Sequence, residues 1–156
     1  MNLFIFDEDH SKNASRHCDA HVRKLILESA QMLCTAININ GGMAPYKSTH
    51  VNHPVCKWVR EYQKNYWWTY EYGMALCKEY RYRFCKTHKT ENVIDWCGYA
   101  GNYPRIDYLD IMSPFVLAMP DKYKSKCPFT SYRQYFTAEK RHIAKWTKRD
   151  IPEWYK

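Results

Sequence analysis

The chain has only five glycines and seven prolines in 156 residues, no Cys-x-x-Cys pair, no internal repeat and no low-complexity stretch. It opens without a signal peptide, and no apolar run approaches the ~18 residues of a membrane span. Its seven cysteines (18, 34, 56, 77, 85, 97, 127) are odd in number and scattered, and several fall on apolar positions of expected helices. Free cysteine there behaves as a small hydrophobe. These absences argue against a disulfide scaffold, a cysteine-rich zinc module and a membrane span, and favour a reduced, intracellular chain.

Aromatic residues are plentiful: 14 Tyr, 6 Trp and 6 Phe make up 17% of the chain, roughly twice an ordinary share. The net charge is +8 and the pI about 9.1. An excess of positive charge suits an anionic partner, a nucleic acid or a phosphorylated small molecule. The length fits one domain with a core of its own.

Apolar periodicity predicts a mostly α-helical single domain over residues 1–156, with about four main helices and a short extended segment at residues 2–6. The first helix spans residues 13–37, capped by Asn13 or Ser15 and stopped at Gly41-Gly42. Pro54 opens a second stretch running to about residue 84, with a break expected near Asn65 or Gly73. A short helix covers residues 90–99 and a fourth residues 129–148. Between them residues 101–128 carry prolines 104, 114, 120 and 128, which predicts irregular chain wrapped over the helices.

On the first helix His17, His21, Lys24 and Glu28 are spaced by 4, 3 and 4, the spacing of one helix face. At about 100° per residue they span only about 60° of the circumference, with Gln31 and Thr35 extending the stripe. Most other positions are apolar, so the helix reads as buried and the stripe as paired, ligand-bound or facing a cleft.

Three readings follow for this stripe. His17 and His21 at i, i+4 could share a divalent metal such as zinc, with His50 and His53 or Glu28 completing the set, although no H-E-x-x-H signature is present. Without metal or other cofactor, the two imidazoles could divide general-base and general-acid roles, with Lys24 and Arg16 on a phosphate and Glu28 as orienter. Alternatively, the stripe is a structural ion-pair ladder or a ligand pocket without turnover.

Further candidates lie beyond this helix. His50, Asn52 and His53 precede the Pro54 helix, where backbone N–H groups favour anions and where the same residue types also serve as caps. Trp58, Glu61, Asn65, Trp68 and Tyr72 share one helical face, fitting either a stacking pocket or ordinary core. His88 lies in a turn between lysines. The C-terminal third mixes Arg133, Lys140, Arg141, Lys145, Lys148 and Arg149 with Tyr132, Tyr135, Phe136 and Trp146, a pattern that matches either nucleic-acid backbone recognition or a solvated face.

The opening M-N-L-F-I-F-D-x-D, the run H-C-D-x-H-V-x-K-x-x-x-E-x-A-Q-M-L from His17, the segment H-V-N-H-P and the close E-K-x-x-x-A-K-W-x-x-R-x-I-P-E-W resemble a family of small, largely uncharacterised proteins of tailed bacteriophages. The resemblance spans nearly the whole chain. It implies a viral protein in the cytoplasm of its bacterial host, acting on nucleic acid, nucleotides or a host-defence signal, and it assigns no catalytic residue. Phage pyrimidine-dimer glycosylases are also helical and basic, and they use an amine freed by removal of Met1. Asn2 is poorly suited to that trimming.

The leading expectation is a protein that binds a phosphate-bearing ligand, nucleotide or nucleic acid, and cleaves a phosphodiester or N-glycosidic bond, as a nuclease, phosphodiesterase or glycosylase would. Its pocket would lie between the first helix and the start of the second. His17, His21, Lys24 and Glu28 would carry the chemistry, and Arg16, His50, Asn52, His53, Glu61, Asn65, Trp68 and Tyr72 the binding. The alternative is a non-catalytic protein that sequesters a nucleotide or inhibits a host defence. No membrane partner is expected, and self-association into a homo-oligomer is left open.

Overall fold

The computed structural model describes residues 1–99, 101–106 and 109–156. Among the described residues there are six α-helices: α1 (His10–Arg16), α2 (Asp19–Ile39), α3 (Pro54–Val59), α4 (Gln63–Phe84), α5 (Glu91–Gly98) and α6 (Pro128–Glu139). Single 3-10 turns cover Asp121–Tyr123, Arg141–Ile143 and Glu153–Tyr155, and no strand occurs among the described residues. No helix there is long and apolar enough to cross a membrane.

The expected first helix is two helices. Asp9, not Asn13 or Ser15, caps α1 through Lys12 N–H. His17 and Cys18 are extended, with ψ of 143° and 161°. The break has no glycine or proline behind it; distant chain stabilises it. The Asp19 N–H donates to the Lys145 carbonyl at 2.7 Å, and Arg83 donates to the Ser15 and His17 carbonyls, each at 2.8 Å. The helix then ends where expected, with Gly41 in the left-handed region at φ 85°.

The second stretch also divides, at residues 60–62, ahead of both expected positions. Asn65 reaches back to the Trp58 carbonyl at 2.7 Å and Arg60 donates to the Cys56 carbonyl, both acceptors that a continuous helix would use, and Arg60 also donates to the Val51 carbonyl. Helix α6 is shorter than expected, ending at Glu139. Residues 145 and 147 beyond it instead pair with the start of α2. Residues 107 and 108 of the expected irregular segment lie outside the described residues.

Helix α4 packs along α2, α1 and α5. A Cβ on Gly73 would stand 3.2 Å from the Ser29 Cβ; glycine is what lets α4 approach α2 this closely. The extended opening threads Leu3, Phe4, Ile5 and Phe6 into the core, all buried. Side chains pair with its backbone at Phe6: Asn13 Oδ1 accepts from Phe6 N–H at 2.7 Å, and Arg16 and Arg133 donate to the Phe6 carbonyl. Burying four large side chains contributes several kcal/mol, at about 1.5–3 kcal/mol each.

Candidate functional site

His17 and His21 end in the aromatic core. The His21 ring centroid lies 4.3 Å from Phe4 and 5.1 Å from Phe136, and the His17 ring 4.8 Å from Phe6. The two imidazoles are 5.8 Å apart, although His17 lies outside α2. His17 Nε2 shares a 3.1 Å hydrogen bond with Tyr72 Oη, which also donates to the Phe4 carbonyl. The Nδ1 atom of each ring is buried without a partner.

Burial, reinforced by the nearby His21 ring and the Arg83 cation, holds His17 well below the ordinary imidazole range. Burial, then Lys140 and Lys24, bring His21 down to about 3. Both rings are therefore neutral near pH 7. An imidazole so hard to protonate is a weak base and cannot act as an acid there. Chemically, this pair is equipped to complete a core.

Glu28 has a different setting. Its Oε2 accepts from the Asn2 N–H at 3.0 Å, while its Oε1 lies 3.6 Å from the amino group of Met1 and 3.5 Å from Lys24 Nζ. The carboxylate side chain is 10% exposed and the Lys24 side chain 70%, so the group sits at the boundary between core and solvent. The opening segment is fixed over it: Asn2 Nδ2 donates to the Ala118 carbonyl and Asn2 Oδ1 accepts from Tyr132 Oη, both at 2.9 Å. His53, which precedes α3, lies within electrostatic reach of the same group. Burial and the positive charges at Met1 and His50 lower its pKa, against an opposing pull from Glu28.

Of the expected site residues, then, Lys24, Glu28 and His53 share one neighbourhood. The opening residues Met1 and Asn2 belong to it and were not singled out from sequence. A signal was present: an apolar start, Leu3 to Phe6, has to enter the core and carries residues 1 and 2 with it.

The other expected contacts are distributed elsewhere. Arg16 is held by Asp7 at 2.5 Å and by the Phe6 carbonyl. His50, at φ 49°, is exposed and paired with Thr49 Oγ1, and Asn52 is exposed. His53 Nδ1 caps α3 by accepting from Val55 N–H. Exposed Glu61 accepts from Ser113 Oγ. Asn65 is buried between Trp58 and Ser113.

Trp68 stacks on Tyr72 at 5.2 Å and meets Trp58 and Phe115 edge-on, which makes this face an aromatic wall and not an open stacking slot. The expected metal set His17, His21, His50 and His53 is not assembled. Two rings are in the core, one is on a loop and one is capping, and no group of three or more His, Cys, Asp or Glu among the described residues is placed to hold a metal ion.

Clefts open elsewhere. One of about 650 Å³ lies beside His10, Glu71, Lys78, Glu79 and Arg149, and another of about 590 Å³ lies along α6. Neither is lined by His17, His21, Lys24 or Glu28.

No protein-family model, no curated protein and no solved structure matches this chain.

Proposed function

We propose that this is a phage protein of the bacterial host cytoplasm that binds a phosphate-bearing ligand, nucleotide or nucleic acid, and cleaves an N-glycosidic or phosphodiester bond beside Glu28. The observation that supports the reading is the Glu28 carboxylate at the edge of solvent, with the Lys24 ammonium at 3.5 Å. A carboxylate so placed can take a proton from a water molecule and direct it at the reacting atom. Lys24, largely in solvent, supplies the charge that holds a phosphate.

For an N-glycosidic bond the atoms balance without metal or redox cofactor. The water oxygen bonds the sugar C1′, the C1′–base bond breaks, and its electron pair leaves with the base, which takes up a proton from solvent. Glu28 takes the proton that the water gives up, and the products are free base and a sugar with a hydroxyl at C1′.

Release of free base or of cut strands from DNA, RNA and nucleotide substrates tests the proposal. The expected result is turnover by the wild type and no turnover by Glu28→Gln, which keeps the acceptor for Asn2 N–H. Equal turnover by wild type and Glu28→Gln would overturn it. Tight nucleotide binding with no turnover by either would favour the sequestering, anti-defence reading, which the two core-bound, neutral histidines also suit.

A further inference from the structure

We propose that the groove along α6 is a binding track for the phosphodiester backbone of a nucleic-acid strand, which narrows the ligand class of the reading above to a polynucleotide and rests on that reading. Helix α6 buries Ser131, Tyr132 and Phe136. Its other side presents Thr130, Arg133, Gln134 and Thr137 to a hollow of about 590 Å³, continued by Arg141 and closed by Trp154. Every polar side chain of this lining can donate a hydrogen bond, two carry positive charge, and no carboxylate is among them.

Two donors at this groove have no acceptor. Arg133 is anchored through Nη2 on the Phe6 carbonyl at 2.6 Å, but its Nε is buried and unpartnered, and so is Trp154 Nε1. Buried donors left unmade are costly, about 1–3 kcal/mol each. Acceptor-rich phosphate oxygens brought against this lining are the complementary chemistry, and arginine with hydroxyl and amide donors is the ordinary phosphate-contacting set.

The cleft beside α1 and α4 is a poor competitor for the same anion, because Asp9, Glu71 and Glu79 line it. Length separates a strand from a lone phosphate. Thr130 to Thr137 spans about 10 Å of helix, with Arg141 beyond, which covers several nucleotides at about 3.4 Å of rise each.

Fluorescence anisotropy of labelled single-stranded and duplex DNA, titrated over a range of salt concentrations, tests the track, with inorganic phosphate and an acidic peptide as competitors. The variants are Arg141→Ala and Thr137→Val, with Lys86→Ala as an equal-charge control away from the groove and thermal melts to verify folding. Arg141→Ala is expected to weaken binding several-fold and to lower the salt slope by about one phosphate contact. Thr137→Val should weaken binding without changing the slope, and Lys86→Ala should do neither.

Equal losses in Arg141→Ala and Lys86→Ala would reduce the effect to net charge and overturn the track. Competition by inorganic phosphate or by the acidic peptide at concentrations comparable to the strand would overturn the polynucleotide assignment. Cleavage of a strand by wild type and Arg141→Ala alike, with equal strand affinity, would leave the Glu28 chemistry standing while the track falls, so the two failures are distinguishable.

Discussion

Arg83 Nη1 stands 3.1 Å from Asp19 Oδ1 and joins the last turn of α4 to the first turn of α2 inside the molecule. The same guanidinium donates through Nε to Glu79 at 2.6 Å and to the carbonyls of Ser15 and His17. Its side chain is fully buried. One cation thus neutralises two buried carboxylates and satisfies the chain where α1 stops. Arg83→Met should cost about 3–5 kcal/mol, because it leaves buried Asp19 without its cation and the Ser15 and His17 carbonyls without a donor, while Glu79 keeps Arg149. Arg83→Lys should recover only part, since an ammonium cannot reproduce the planar fork. Denaturant unfolding followed by circular dichroism measures both, and a loss under about 1 kcal/mol for the methionine variant would contradict this account.

The core imidazoles predict an acid-sensitive fold. His17 and His21 are depressed by burial in the folded chain, His21 to about 3, whereas an unfolded histidine titrates near 6.5. Their contribution is therefore complete above about pH 6.5 and is lost as pH falls toward the folded values. The slope should reach about 1.4 kcal/mol per pH unit for each ring. Asp19 and Glu79 add a second loss at lower pH. Burial pushes both up, but hydrogen bonds from Thr147 and Arg83 to Asp19, and from Arg149 and Arg83 to Glu79, outweigh it and leave both below the ordinary range. Their stabilisation is lost as pH falls through those lowered values.

His21→Phe isolates one of these contributions. The ring already lies among Phe4 and Phe136 with a buried, unpartnered Nδ1, so phenylalanine fits its chemistry. The variant should fold, match or exceed the wild type below pH 6, and lose one histidine's share of the slope. A flat wild-type profile between about pH 6.5 and 5 would show that both rings titrate as in water.

How much of this was readable in advance differs element by element. The helical class, the stop at Gly41-Gly42 and the start at Pro54 all follow from local signals. The break at His17–Cys18 does not, because the groups that stabilise it, the Lys145 carbonyl, Thr147 and Arg83, lie more than 60 residues away. The same holds for Glu28. Its spacing from His21 suggested a shared face, yet its partners Met1 and Asn2 arrive through tertiary packing of the opening segment. The 4-3-4 spacing implied a stripe on one helix; the chain leaves the helix between its first two members, and the imidazoles pack among aromatic rings while Glu28 meets Asn2 and Lys24.

Asn65 is predicted to act as a clamp. Its amide donates to the Trp58 carbonyl and to Ser113 Oγ, each at 2.7 Å, and its Oδ1 accepts from Ser113 N–H at 3.2 Å. It thereby joins the end of α3, the start of α4 and the chain at residue 113. Asn65→Ala should cost about 2–4 kcal/mol for three lost hydrogen bonds around buried groups. Asn65→Asp should cost a comparable amount, because a carboxylate cannot donate to the Trp58 carbonyl. Nucleotide affinity of the folded fraction should not change, measured by calorimetry after unfolded protein is removed; a selective loss of affinity with unchanged melting would return Asn65 to the binding site.

Lys24 gives the opposite pattern. Its side chain is 70% exposed and its only described ion pair is with Glu28 at 3.5 Å on the same helix, an arrangement worth about 0.3–0.5 kcal/mol. Lys24→Gln should therefore leave the melting temperature almost unmoved. If Lys24 holds the ligand phosphate, the same change should weaken nucleotide binding about tenfold, and the difference should shrink as salt rises because exposed charges are screened. Lys24→Arg should retain most of the affinity, because the charge is kept. Binding by Lys24→Gln equal to the wild type at low salt would remove this lysine from the site and leave Glu28 without a phosphate anchor on α2.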